Sequence, residues 1–317
     1  MDESKEKKAI TIYRNDLNPI IISKENILEK YKNIGITKLQ AEEIFNSDHY
    51  FFNLINGHLE IVDKIKDSLD NYNVIKVLGK GLFGTVYLIS DKKEGKFYAL
   101  KSINKKEDIL RTALKEIQVF LLLRDCPNVI KMISFFETKS TFYLVYEYMD
   151  GGDLYQKNLT VQQVKFILKS ILKGLECIHS KNLIYADLKP ENIMTNKDLT
   201  KIVIIDLGSI RENPFYHDFG TTYYMAPERF ENDATCDEKV DSWTIGVLTY
   251  ALLTGDELFD ADTEVGTALK IKECEYDLHL WLDEYDPNLR DFISKLVVLD
   301  PKKRLSLKEI KNHPFLN

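Results

Sequence analysis

The sequence predicts an α+β protein of two lobes. A small lobe is built on a five-stranded antiparallel sheet with one main helix, a larger lobe is mostly helical, and a helical extension precedes both. Strand-like runs rich in β-branched and aromatic residues follow one another from about Asn71, helical periodicity dominates beyond Met149, and residues 1–71 share neither pattern. A chain of 317 residues that is 44% hydrophobic and 11% aromatic can bury a core of that size.

Taken in order, the extension (1–71) is polar and lysine-rich. Thr37 and Gln40 fit a capping box, in which a threonine oxygen and a glutamine side chain satisfy the free amides of a first helical turn. HLEIVDKIKDSL places Val62, Ile65 and Leu69 on one helical face, and the segment reads either as a structural brace or as a regulatory element. The small lobe (72–148) opens with YNVIKVLG, GTVYLIS and KFYALKSI, separated by glycine or charged turns. KKEDILRTALKEIQVFLLL then repeats Leu110, Leu114, Ile117 and Leu121 at helical spacing, before the strand-like VIKMISFF and TFYLVYEY. In the large lobe (149–317), Thr160 and Gln163 form a second capping box ahead of a helix carrying Phe166, Leu168, Ile171, Leu172 and Leu175.

Lysine and arginine number 43 against 50 aspartates and glutamates, a net charge of −7 that argues against nucleic acid as a partner. Cys126, Cys177, Cys236 and Cys274 lie far apart in the chain, which suggests neither zinc nor a disulfide framework and fits a reducing cytoplasm. No apolar run is long enough to span a bilayer, and MDESKEKKAITIY lacks the apolar core of a secretory signal, so no membrane partner is expected.

LGKGLFGTVY holds Gly79, Gly81 and Gly84 in G-x-G-x-x-G spacing after Leu78, with Val86 following. The glycines lead into another strand, unlike a dinucleotide fold, where they lead into a helix, and no G-K-[ST] follows as a P-loop requires. Glycines at a hairpin tip let backbone amides approach phosphate oxygens closely. Downstream, FYALK ends in Lys101, and the next helix carries Glu116, a carboxylate suited to hold a lysine that faces a nucleotide.

At LIYADLKPENIM the chain resembles the catalytic loop of eukaryotic-type serine/threonine protein kinases, whose pattern is H-R-D-L-x-x-x-N. The resemblance runs over residues 72–317, and it implies ATP and Mg2+ as cofactors and a protein hydroxyl as acceptor. It makes Asp187 the group that orients the attacking hydroxyl and accepts its proton, and Lys189 the cation that neutralises the transferring group. Asn192 and Asp206 become metal ligands. Asp206 follows the apolar run IVIIDLG at the distance a short hairpin needs, whereas Asp218, in a literal D-F-G, follows no strand and stands too close to Ala226-Pro227-Glu228. Asp218 is therefore read as a loop residue. The resemblance further implies that Thr221 bonds near Asp187 and Lys189, that Asp241 braces the catalytic loop, and that Arg304 pairs with Glu228. Glu147 and Met149 would present backbone groups to adenine, with Tyr146 behind it, Val86 and Ala99 above, Met194 beneath, and Asp153 near the ribose. Phe120, Met132, Tyr185 and Leu207 would form an internal apolar column.

Ala186 stands where many relatives carry an arginine that binds a phosphorylated activation segment, and His217 where they often carry the phosphorylated threonine. Without the guanidinium no bidentate pair can form, so activity is expected without that phosphorylation. A non-catalytic pseudokinase scaffold is the alternative, disfavoured by the intact Lys101, Asp187 and Asp206; the A-P-E segment disfavours a small-molecule kinase. Asp256, Glu257, Asp260, Asp262 and Glu264, with Asp153 and Glu191, read either as a solvated acidic face or as a surface for a basic protein substrate.

Overall fold

The structure, a computed structural model, describes residues 9–14, 20–23, 26–33, 35–46, 51–55, 58–61, 67–81, 84–105, 107–138, 140–216, 220–231, 234–276 and 286–317. The chain divides into two compact units, Met1–Arg124 with Lys131–Tyr148, and Asp125–Ile130 with Met149–Asn317.

The first unit begins with β1 (Ala9–Arg14), β2 (Ile20–Ser23), α1 (Ile27–Lys30), α2 (Lys38–Asn46), β3 (Phe51–Ile55) and β4 (His58–Ile61). The strands form a four-stranded sheet in the order β2-β1-β3-β4. The expected helical extension is therefore corrected to a mixed one. Its centre is a parallel pairing of β1 with β3, which requires a crossover, and α1 and α2 supply it. A pairing of Thr11 with Phe51 leaves no trace in local periodicity. The Thr37–Gln40 capping box does form, with Gln40 N donating to Thr37 Oγ1 at 3.2 Å and Thr37 N to Gln40 Oε1 at 2.8 Å. Ile12, Ile22, Ile27, Ile36, Ala41 and Ile44 make a small core of their own. Of the proposed amphipathic stripe, Val62 and Ile65 lie outside the described residues, and Leu69 sits in a 3-10 turn, Leu69–Asn71.

The same unit continues with β5 (Tyr72–Gly81), β6 (Gly84–Asp91), β7 (Phe97–Asn104), α3 (Glu107–Leu123), β8 (Met132–Glu137) and β9 (Thr141–Glu147). These strands form the expected five-stranded sheet, antiparallel throughout, in the order β5-β6-β7-β9-β8. Alternation along the strands sends Phe135 and Leu144 to the face that packs on Ala113, Leu114 and Ile117 of α3. Phe136 and Val145 point to the other face, with Ile89, Tyr98 and Leu100. Asp67 ties the end of the extension to this sheet. Its carboxylate accepts from Tyr72 OH at 2.7 Å, Asn71 Nδ2 at 2.9 Å and the Ser134 hydroxyl.

In the second unit β10 (Gly152–Asp153) precedes the long α4 (Val161–Ser180), which opens with the expected Thr160–Gln163 capping box. Then come β11 (Leu183–Ile184), β12 (Ile193–Thr195), β13 (Ile202–Ile204), β14 (Arg211–Glu212), β15 (Phe215–Tyr216) and β16 (Thr235–Cys236). Helices α5 (Lys239–Thr254), α6 (Glu264–Glu273), α7 (Pro287–Leu296) and α8 (Leu307–Lys311) complete it. Helix α5 is buried on nearly every side, from Val240 to Leu252, and so reads as uniformly apolar rather than amphipathic.

One sequence expectation about the cysteines is overturned. Cys126 and Cys177 are joined in a disulfide that fastens Asp125–Ile130 to α4, while Cys236 and Cys274 are free. The two bonded residues are 51 positions apart, and chain distance says nothing about which helix face a loop crosses. That loop is held further by Ile130 N to Ile204 O at 2.9 Å and Ile204 N to Asn128 O at 2.8 Å.

Candidate active site

In the first unit the glycine run is a hairpin. Gly79 pairs with Val86, and Gly81 with Gly84, at the turn from β5 into β6. Gly84 has φ 155°, and a Cβ there would lie 2.0 Å from the Ser102 carbonyl oxygen, so only glycine fits. Gly79 and Gly81 have open space around them, and Leu78 is exposed. Val86 faces Lys101 across β6 and β7, and Ala99 faces Tyr146 across β7 and β9. Lys101 Nζ donates to both oxygens of Glu116, at 2.6 and 2.9 Å. Tyr146 OH adds a third bond to Glu116 Oε1 at 2.7 Å. Glu116 is 5% exposed, and these donors replace the water that burial takes from its oxygens. Glu147 donates its N–H to Lys131 O at 2.9 Å, and its Oε1 accepts from Lys131 N at 3.1 Å. Phe120 is buried, and Met132 packs beside Tyr146 on the core of this unit.

The second unit assembles the polar residues of DLKPEN. Asn192 Nδ2 donates to Asp187 O at 2.8 Å and to Asp187 Oδ2 at 3.0 Å. Lys189 Nζ donates to Thr221 Oγ1 at 2.7 Å, and Thr221 Oγ1 donates to Asp187 Oδ1 at 3.2 Å. Lys189 Nζ also lies 3.4 Å from Asp187 Oδ2. Asp206 lies two residues past the end of β13, in the left-handed region at φ 53°, and the intervening Ile205 donates its N–H to Asn192 O at 2.9 Å. The β12–β13 pairing thus brings the chain at Asp206 beside Asn192. Asp153 lies opposite Met194 across β10 and β12, and Met149 is buried.

Two supports lie beneath this group. Asp241, with no exposed surface, accepts from Tyr185 N at 3.0 Å, Ala186 N at 2.9 Å and His179 Nε2 at 2.8 Å. Tyr185 OH donates to Ile205 O at 2.5 Å. Burial, and then the charges of Asp206, Asp187 and Asp241, hold the Tyr185 phenol well above its ordinary pKa, so it stays a donor. Leu207 is buried as well. Arg304 meets Glu228 in a bidentate pair at 2.7 and 2.7 Å. His217 and Asp218 lie outside the described residues.

Three participants escaped the sequence reading. His179 reaches Asp241 from the end of α4, and no local spacing links residues 62 positions apart. Arg229 follows Ala226-Pro227-Glu228 directly, which was the available signal, and its guanidinium donates to Ala186 O at 2.5 Å. Tyr224 OH donates to Glu257 Oε1 at 3.0 Å, in a pocket of about 370 Å³ lined also by Tyr155, Pro190, Asp256 and Asp260.

Residues 72–316 match the protein kinase domain family, and the chain belongs to it. It is 31% identical over 304 residues to calcium-dependent protein kinase 4 of Plasmodium falciparum (isolate 3D7), an alignment covering 90% of this chain and 56% of that one. An Aurora kinase of Yarrowia lipolytica is 32% identical over 299 residues, covering 90% of this chain and 79% of the relative. A probable myosin light chain kinase of Dictyostelium discoideum is 32% identical over 264 residues, 78% of this chain and 84% of that one. The chain thus spans little more than half the length of the Plasmodium relative. No described helix is long and apolar enough to cross a membrane.

Proposed function

We propose that the protein transfers the γ-phosphoryl group of ATP to serine and threonine hydroxyls of proteins, in a Mg2+-dependent reaction. The observation that supports this most is the hydrogen-bonded set of Asp187, Lys189, Asn192 and Thr221. Asp187 orients the acceptor hydroxyl and takes its proton as the new P–O bond forms and the bond to ADP breaks. Lys189 offsets charge on the transferring group, and Lys101, held by Glu116, offsets charge on the ATP phosphates. Catalysis of this kind is positioning plus charge neutralisation, and both need fixed side chains. The donor set also suits magnesium. Asp206 offers a carboxylate, and Asn192 spends its amide nitrogen on Asp187, leaving its oxygen for a hard cation that takes few protein ligands. Magnesium held there supplies further charge neutralisation at the phosphates. Backbone groups of Glu147 and Met149 would receive adenine, with Gly79, Gly81, Gly84, Val86, Ala99, Asp153 and Met194 shaping its surroundings.

Activity without activation-segment phosphate is part of the reading, because Ala186 offers no guanidinium to pair with such a phosphate. The proposed acceptor is basic. Glu257 and its neighbours Glu191, Asp256 and Asp260 concentrate negative charge at one pocket, where an arginine side chain would be drawn. A cytoplasmic setting fits ATP as donor, whereas the Cys126–Cys177 bond pulls the other way, since reducing compartments keep thiols apart. The kinase domain is proposed to span residues 72–317, with residues 1–71 as a brace on its sheet through Asp67. The test is phosphatase treatment of the full chain, followed by labelled-ATP assays on serine peptides with and without upstream arginine. Retained activity with arginine preference is expected; loss of activity, or indifference to arginine, would refute the corresponding part.

A further inference from the structure

Ala186 is the residue directly before Asp187, and its backbone is left-handed, with φ 65°. For a residue with a Cβ that conformation is uphill and persists only where its surroundings over-determine it. Two side chains do so. Asp241 Oδ1 accepts from Ala186 N at 2.9 Å, and Arg229 Nη1 donates to Ala186 O at 2.5 Å. The second bond falls on the peptide that joins Ala186 to Asp187, so it bears on the direction in which the Asp187 side chain leaves the chain.

Arg229 is itself fixed. It is 4% exposed and rises from the 3-10 turn Pro227–Phe230, whose Glu228 is locked to Arg304. Its guanidinium carbon lies 5.6 Å from the centroid of Phe215, on β15. Gly220 approaches so closely that a Cβ there would stand 2.9 Å from Nη2 and 3.1 Å from Nη1. One buried cation therefore touches the segment at Phe215, the same segment at Gly220, and the catalytic loop at Ala186.

We propose that Arg229 is a positioning residue for phosphoryl transfer, holding the Ala186–Asp187 peptide and the segment around Gly220 together with no phosphate required. This rests on the reading of the chain as a kinase active without activation-segment phosphorylation. Phosphatase-treated full chain would be assayed with MgATP and a basic serine-containing protein, as wild type, Arg229→Lys, Arg229→Met, Gly220→Ala and the Gly220→Ala/Arg229→Lys double variant. Misplacement of a catalytic group by about 1 Å costs on the order of 100-fold. A fall in kcat of roughly 10- to 100-fold is therefore expected for Arg229→Met, a smaller fall for Arg229→Lys, and KM for ATP within about twofold throughout. Gly220→Ala should lose at least about fivefold, and the double variant less than the product of its singles, because the slimmer ammonium leaves room for the methyl. Arg229→Met that melts as wild type and keeps its kcat overturns the proposal. If that variant does not fold, Gly220→Ala with wild-type kcat overturns it instead. Wild-type activity lost on phosphatase treatment would sink the underlying reading, which is a separate and distinguishable result.

Discussion

Glu257 carries a carboxylate that its surroundings disfavour. Burial, then the charges of Glu191, Asp260 and Asp256, raise its pKa above the ordinary carboxylate value, against a lowering by the Tyr224 hydrogen bond. Because the folded state holds this proton more tightly than the unfolded one, Glu257 lowers stability as pH rises from the carboxylate range through its raised folded value. Glu257→Gln is thus expected to melt no lower than wild type at pH 7. A bound arginine would reverse the balance by favouring the charged form. KM for an arginine-containing peptide should therefore rise as pH falls and Glu257 protonates, and the Gln variant should show a high, flat profile. An unchanged profile in that variant would remove Glu257 from substrate recognition. The acidic run made this region visible in the sequence, but not which carboxylate is buried. That depends on Tyr224 arriving from the other side. Lys101 and Glu116 were easier to read, since a strand lysine and a helix carboxylate needed only each other.

At the scale of elements, the two capping boxes and the individual strands of the five-stranded sheet were legible because each is written in neighbouring residues, whereas the pairing of β7 with β9 is not. Replacing Thr160 by alanine should cost about 1 kcal/mol in chemical denaturation, the usual worth of such a cap. The parallel centre of the extension was not legible, because β1 finds its partner β3 only across a crossover, whereas β3 and β4 are chain neighbours whose intervening Asn56-Gly57 was a hairpin signal that the helical reading passed over. Asp67 is the joint between that extension and the sheet. Removal of its bonds to Tyr72, Asn71 and Ser134 by Asp67→Ala is expected to cost about 1–3 kcal/mol, measured by urea denaturation, while KM for ATP stays within about twofold. Stability equal to wild type would leave the extension without a bracing role through this residue. The Cys126–Cys177 bond has an equally direct check. Denatured, unreduced protein should titrate as two thiols, those of Cys236 and Cys274, and as four after reduction. Four thiols before reduction would contradict the bond.

For the whole molecule, the order of motifs along residues 72–316 sufficed to reach the family, because each motif comes with its own strand or turn. What the sequence concealed were the supports beneath the motifs: His179 under Asp241, Arg229 against Ala186, and Tyr185 on Ile205. These are long-range contacts of ordinary residues, fixed by packing and not by spacing. Phosphoryl transfer as proposed depends most on Asp187 acting as the base for the acceptor hydroxyl. The measurement is transfer of label from γ-labelled MgATP to a basic serine-containing protein by wild type and Asp187→Asn, with Lys101→Met alongside and phosphoamino-acid analysis of the product. Wild type should label serine or threonine, and Asp187→Asn should be slower by roughly 100-fold or more while melting as wild type does. Equal labelling by the two enzymes, or no labelling by wild type, would contradict it.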